Sequence, residues 1–233
     1  MTGMTPPDSG GLRLVIAIDG VGGAGKSATA RGAAAALGYR HLDTGSMYRA
    51  MTLAAIRRGI GSDQTALLAQ LLDEVDLGLE LESGVCRVYL DGEDVTEPIR
   101  EPMVTRQVGD YADVLLVRHE LVTRQRQLGA AGGVVADGRD VGAVIFPDAD
   151  LKIYMTADIT ERTRRRHTEL VAKGIDITFS EVQADIEKRD LQDQQRDYGA
   201  EVDSREVVVL DTTELTLEAQ IQRVVALARE RGG

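Results

Sequence analysis

The patterned part of the chain opens with Leu12–Ile18, an apolar run too short for a helix and lacking polar alternation. Similar runs recur at Val134–Ala136, Leu151–Met155 and Val207–Leu210, with a weaker one at Tyr39–Leu42. A continuous apolar stretch of strand length is what a parallel strand covered on both faces requires. Between these runs the period changes. Ser27–Leu37 is alanine-rich and stops before Gly38. Ser46–Arg58 repeats apolar residues at Met47, Ala50, Met51, Ala54 and Ala55 and stops before Gly59. That spacing, with a glycine just past the end, predicts helices. Val114–Leu128, Ile159–Lys173, Phe179–Gln195 and Leu217–Arg229 also read as helices. Alternating strands and helices predict an α/β fold, a parallel five-stranded sheet with helices on both faces.

Two stretches depart from this rhythm. Leu77–Leu81 and Val85–Leu90 flank Glu82-Ser83-Gly84, and Asp91-Gly92 offers a second tight turn. Together they predict a small antiparallel β insertion over Leu77–Ile99. Glu161–Gln195 is highly charged and helical, with the loop Lys173–Ile177 in its middle. Residues 1–11, with their Pro, Ser and Gly, have neither the basic start nor the apolar centre of a signal peptide and are expected to form a disordered tail. The remainder, 12–233, is expected to be a single domain, long enough to bury a real core.

Composition narrows the chemistry. The 233 residues are 43% hydrophobic and 28% charged, with a net charge of −11. That balance argues against nonspecific nucleic-acid binding or an anionic membrane surface, so an anionic ligand must meet a local cluster of arginines. No apolar run approaches membrane-spanning length, and a cytoplasmic protein is expected. Cys86 is the only cysteine, which excludes an intrachain disulfide and a four-cysteine zinc site. His41, His119 and His167 are the only histidines and are expected to be structural or surface residues. Nothing in the composition demands more than a monomer.

The run Gly20-Val21-Gly22-Gly23-Ala24-Gly25-Lys26-Ser27, followed by Ala28, fits G-x-x-x-x-G-K-[ST] and lies between a buried strand and a helix. Its glycines let backbone N–H groups wrap an anion, Lys26 suits the outer phosphates, and the Ser27 hydroxyl suits Mg²⁺. The positive end of the following helix aims at the same spot. ATP with Mg²⁺ is the expected pair.

In a doubly wound sheet, ligands sit beyond the carboxyl ends of the strands. After Leu42, Asp43 or Thr44 is placed to cap the next helix, and Arg49 is placed to clamp a second anion. After Ala136, Asp137 is placed to hold Mg²⁺ through water, and Arg139 and Asp140 share its loop; a turn with an internal ion pair is the alternative. Arg189, Asp193 and Arg196 share one helical face, as do Arg162, Arg165 and Arg166 on another. Two arginine faces beside a triphosphate site are consistent with a lid closing over polyphosphate and excluding water. A guanine-reading switch protein is disfavoured, because its N-K-x-D motif needs an asparagine and the chain contains none.

IDGVGGAGKS (Ile18–Ser27), LDTGSMYRA (Leu42–Ala50), LDGEDVTEPIR (Leu90–Arg100), ADGRDVGAVIFPDADLKIYMTA (Ala136–Ala157) and DIEKRD (Asp185–Asp190) run in this order. In these elements the chain resembles the bacterial cytidylate kinases, P-loop kinases that phosphorylate CMP and dCMP with ATP. The resemblance covers nearly everything beyond the tail. It implies a nucleoside-monophosphate-binding insertion at about 72–102 and a helical lid at about 160–197. It also implies that Arg49, Arg118, and Arg139 or Arg196 grip the acceptor phosphate, that Arg139 and Asp140 read cytosine, and that Arg189 and Asp193 meet the sugar hydroxyls. Thr44 replaces a common Ser and keeps its hydroxyl, whereas Gly109 stands where a Ser contacting the nucleotide is frequent. Lys26, Arg139, Arg166 and Arg196 are the groups expected to neutralise charge during transfer. Other acceptors, such as UMP, AMP or a small hydroxy metabolite, remain open.

Overall fold

The computed structural model describes residues 13–82, 85–195 and 206–232; the expected tail and Arg196 lie outside them. Five parallel strands form the central sheet: β1 (Val15–Gly20), β2 (Arg40–Asp43), β6 (Val134–Asp137), β7 (Leu151–Thr156) and β8 (Val207–Asp211). Their order is β2-β6-β1-β7-β8. β1 is therefore central, with Ile16 opposite Val135 on one side and Leu151 on the other.

Successive residues of β1 feed opposite cores, the period of two that defines a strand. Ile16 and Ile18 pack with Ala30, Ala33, Val135, Ile153 and Val224, beneath α1 (Lys26–Leu37) and α8 (Leu217–Glu230). Ala17 packs with Leu42, Met51, Leu121, Val134 and Ala136, beneath α2 (Thr44–Arg57) and α5 (Leu115–Gly129). The apolar positions Val15–Ile18 of β1 and Val134–Ala136 of β6 are thus used on both faces, as the unalternating runs predict. β7, by contrast, alternates, burying Leu151, Ile153 and Met155 and turning Lys152 and Tyr154 outward.

The insertion forms a separate three-stranded antiparallel sheet of β3 (Leu77–Glu82), β4 (Val85–Leu90) and β5 (Glu93–Asp94). Asp91 and Gly92 join β4 to β5 with φ of 50° and 83°, the left-handed pair that a tight hairpin turn demands. Its inward residues Val88, Leu90 and Val95 are buried in the same core as α2. The insertion is therefore anchored to the sheet domain by packing.

Two helices absent from the sequence reading complete this side: α3 (Thr65–Glu74), which buries Leu68, Leu71 and Leu72, and α4 (Pro102–Ala112), which buries Val104 and Tyr111. The charged region forms α6 (Ile159–Ala172) and α7 (Phe179–Gln195). A single π-helical turn, Val141–Ile145, follows β6. Asp19 causes it in part by accepting hydrogen bonds from the Val141 and Gly142 N–H groups at 2.7 and 2.8 Å.

Candidate active site

Gly20 closes β1 and starts the phosphate loop. A Cβ there would lie 1.9 Å from the Met155 carbonyl oxygen, so only glycine passes between these strands. Gly23 and Gly25 also have positive φ, which turns the chain into the first turn of α1, where Lys26, Ser27 and Ala28 sit. Lys26 Nζ donates to the Gly20 and Val21 carbonyls, at 2.8 Å each. Withdrawal from water, together with the positive charge of Arg139, pushes its ammonium down to about 7. Two further cations reach the same loop: Arg139 Nη1 donates to the Gly20 carbonyl at 3.2 Å and Arg162 Nη1 to the Gly22 carbonyl at 3.1 Å.

Beside the loop, Ser27 Oγ donates to Asp137 Oδ2 at 2.5 Å. His41 Nε2 lies 2.7 Å from the other oxygen, Oδ1, and the Thr44 hydroxyl donates to the Asp137 carbonyl at 2.8 Å. Asp43 is Asp137's register partner across β2 and β6. It is also the residue that caps α2, accepting from Ser46 N at 3.1 Å. Its carboxyl is raised by burial and by the neighbouring Asp137 charge. A hydroxyl and two adjacent carboxylates form a hard, all-oxygen donor set with excess negative charge, which fits Mg²⁺. Among the described residues no group of three or more His, Cys, Asp or Glu could hold a metal unaided.

Across from the loop lies a cavity of about 370 Å³. Gly22, Gly23 and Ser27 form one wall, and the rest includes Arg49, Arg100, Arg166, Lys173 and Arg189 together with the acids Asp43, Glu169 and Asp190. Arg49 projects from α2 and donates to Thr105 Oγ1 at 2.8 Å. Burial and then Arg189 lower its guanidinium pKa, and Arg100 and Arg166 add to the effect. A half-buried guanidinium whose charge is disfavoured by burial and by neighbouring cations is suited to receive an anion. Arg118, from α5, pairs with the buried Asp140, whose carboxyl burial raises although Arg118 opposes the shift. Gly109 lies about one turn beyond Thr105 on α4 and is not among the cavity-lining residues.

α6 and α7 meet the loop region through acid–arginine pairs. Asp193 on α7 lies 2.8 Å from Arg139, and Asp190 lies 2.6 Å from Arg162. The three arginines that share one face of α6 divide their work. Arg162 joins the loop, and Arg166 lines the cavity while pairing with Glu169 at 2.8 Å. Arg165 donates to the Thr212 carbonyl at 2.5 Å and to its hydroxyl at 3.1 Å, tying α6 to the end of β8. Asp19, His41, Arg100 and Asp190 belong to this constellation, although sequence reasoning assigned them no role. Asp190 carried a signal in the KRD segment of α7, whereas His41 stands 96 residues from its partner Asp137.

A phosphate loop at the end of a central parallel strand, faced by an arginine-bearing cavity beside an inserted sheet and the α6–α7 helix pair, defines a P-loop kinase with a phosphate-bearing acceptor. The family model described as "Cytidylate kinase" matches residues 16–230. The chain belongs to the cytidylate kinase family, the one its motifs resemble. It is 41% identical over 218 residues to a cytidylate kinase of Geobacter sulfurreducens, covering 94% of each chain. It is 43% identical over 227 residues to a bifunctional pantoate ligase/cytidylate kinase of Synechococcus elongatus, covering 95% of this chain and 43% of that longer protein. A crystal structure of an uncharacterized protein from Eubacterium ventriosum shares the fold, with a TM-score of 0.50 at 13% identity over 94% of this chain and 99% of that one. Among the described residues no helix is long and apolar enough to cross a membrane.

Proposed function

We propose that this protein transfers the γ-phosphoryl group of ATP to CMP and dCMP, yielding ADP and the cytidine diphosphates that serve pyrimidine nucleotide metabolism. The observation that carries the reading is the cavity whose one wall is the phosphate loop and whose other wall is a set of arginines. Two phosphate chains brought end to end need such a space, with cations at the junction.

Lys26 and the loop N–H groups hold the donor phosphates. When ATP binds, Lys26 Nζ turns from the Gly20 and Val21 carbonyls to phosphate oxygen and regains full charge. Ser27, and Asp137 through water, would hold Mg²⁺, which when bound would supply charge neutralisation on the donor phosphates. Arg49, Arg118, Arg139 and the lid-side Arg196 grip the acceptor phosphate, and Arg139, Arg166 and Arg196 follow the charge as it moves. Transfer is direct and in line, and no side chain has to act as a covalent carrier.

Asp140 and Arg139 read the base. A carboxylate only accepts hydrogen bonds, which suits the cytosine N4 amino group and opposes the uracil oxygen at that place. Arg189 and Asp193 meet the sugar hydroxyls. Asp193 then exchanges its contact with Arg139 for the ligand, which releases that guanidinium to the phosphates. Thr44 works through the main chain of Asp137, and at Gly109 water takes the place of a side-chain hydroxyl. On this reading 12–233 is one kinase domain with an acceptor-binding insertion at about 72–102 and a lid at about 160–197, working as a monomer in the cytoplasm. Coupled ADP release over CMP, dCMP, UMP, AMP and GMP with Mg-ATP tests it. CMP and dCMP are expected to be the best acceptors, and a profile without CMP among the best overturns the assignment.

A further inference from the structure

We infer that His41 is a positioning residue for the cation-binding carboxylate, acting by a donated hydrogen bond. The inference rests on the assignment of Ser27 and Asp137 to Mg²⁺ above and extends it outward by one residue.

Asp137 is 3% exposed, and its main chain is fixed on both sides. Gly138 N donates to the Ile18 carbonyl at 3.1 Å, and the Thr44 hydroxyl holds the Asp137 carbonyl at 2.8 Å. What these bonds leave undetermined is rotation of the carboxylate itself. Its Oδ2 faces Ser27 Oγ at 2.5 Å, the side toward the phosphate loop, and its Oδ1 faces His41 Nε2 at 2.7 Å. An ionised carboxylate offers acceptors only, so the imidazole must present Nε2–H. One oxygen is thereby committed to the protein, and the other stays turned toward the loop.

The strand geometry explains why this residue reaches the carboxylate. His41 and Asp43 stand two apart on β2, hence on one face of the sheet. β2 accordingly delivers a donor and an acceptor side by side to the cation corner. His41 is itself 3% exposed, so water does not readily replace its N–H. Outer partners that orient a ligating carboxylate commonly govern metal affinity, and losing one weakens binding about 10- to 100-fold.

The test is calorimetric titration of the full chain with ATP, with and without Mg²⁺ and with no acceptor present. The quantity read is the ratio of the two dissociation constants, beside thermal unfolding as a control. A Gln amide nitrogen can occupy the place of Nε2, whereas an Asn amide nitrogen falls at the place of Nδ1, and both are polar enough for this site. In His41→Asn the Mg²⁺-dependent gain is expected to fall about tenfold while Mg²⁺-free ATP binding stays unchanged. In His41→Gln the gain is expected to return to within about threefold of the native value. Equal gains in all three proteins overturn the inference. So does a loss of ATP binding in His41→Asn that is the same with and without Mg²⁺, because that pattern belongs to packing. A native protein that binds ATP with no Mg²⁺ dependence overturns the cation site itself, and the role of His41 falls with it.

Discussion

The two walls of the site are built by different means. On the donor side, backbone does the shaping. A Cβ at Gly20 would fall 1.9 Å from the Met155 carbonyl oxygen, and the cations Lys26, Arg139 and Arg162 rest on the loop's own carbonyls. On the acceptor side, long side chains do it, with replaceable partners. Arg49 leans on Thr105, Arg166 on Glu169, and Arg100 stands 3.9 Å from Asp43. A triphosphate offers the same anionic chain whatever its base, and a preorganised backbone cradle serves it without reorganisation. An acceptor must be recognised, enclosed and released, and side chains that exchange partners permit this.

If the contrast holds, damage on the two walls should look different. On the proposed assignment, Lys26→Met removes a charge meant for the transferring group and is expected to lower kcat roughly a thousandfold. Steady-state assays with CMP saturating check this, and a change confined to KM breaks the contrast. Arg49→Gln is expected to lower kcat/KM for CMP by about 10- to 100-fold, the worth of a charge-assisted hydrogen bond. The KM for ATP should stay within about twofold, because the donor wall is separately braced. Asp140→Asn offers an amide in place of a carboxylate, and the ratio of kcat/KM for CMP over UMP is expected to drop about tenfold. An unchanged ratio removes Asp140 from base reading.

The smallest expected signal concerns protons. Lys26 is pushed down to about 7 in the ligand-free protein. Above that pH it is mostly neutral, and phosphate anions favour its charged form, so ATP binding near pH 8 should take up close to one proton. Near pH 6 the lysine is already charged and uptake should vanish. Calorimetry in buffers of different ionisation enthalpy reads the difference. Uptake that persists unchanged at the lower pH shows that another group is responsible.

The donor wall was legible in the chain because its parts are contiguous: strand, glycines, Lys26, Ser27 and helix follow one another within about 25 residues. On the opposite wall the sequence singled out Arg49, Asp140 and the arginine-bearing helices as residue types, but not the contacts they make. Spacing alone placed Arg162, Arg165 and Arg166 on one face. The structure then sends Arg162 to Gly22, Arg165 to Thr212 and Arg166 to the cavity, because long side chains reach different depths from one face. α3 was missed despite Leu68, Leu71 and Leu72 at helical spacing, because it runs directly into the strand pattern of the insertion. α4 was missed although its apolar residues do fall on one face, because it carries few of them and buries only Val104 and Tyr111 fully. The π-helical turn had no local signature at all, since it answers to Asp19, 122 residues from Val141.

That last link bears on attempts to redesign the enzyme. Asp19 occupies the strand that ends in the phosphate loop, and its carboxylate, raised to about 6 chiefly by burial, grips the turn that follows Arg139 and Asp140. A loop transplanted from another kinase at 138–141, to alter the base preference proposed for Arg139 and Asp140, would arrive without this tether. The graft has to carry its own clasp to the first strand, or the imported selectivity will be displayed at the wrong angle to the donor. The interchangeable unit is therefore discontinuous: one carboxylate on β1 together with the turn it closes.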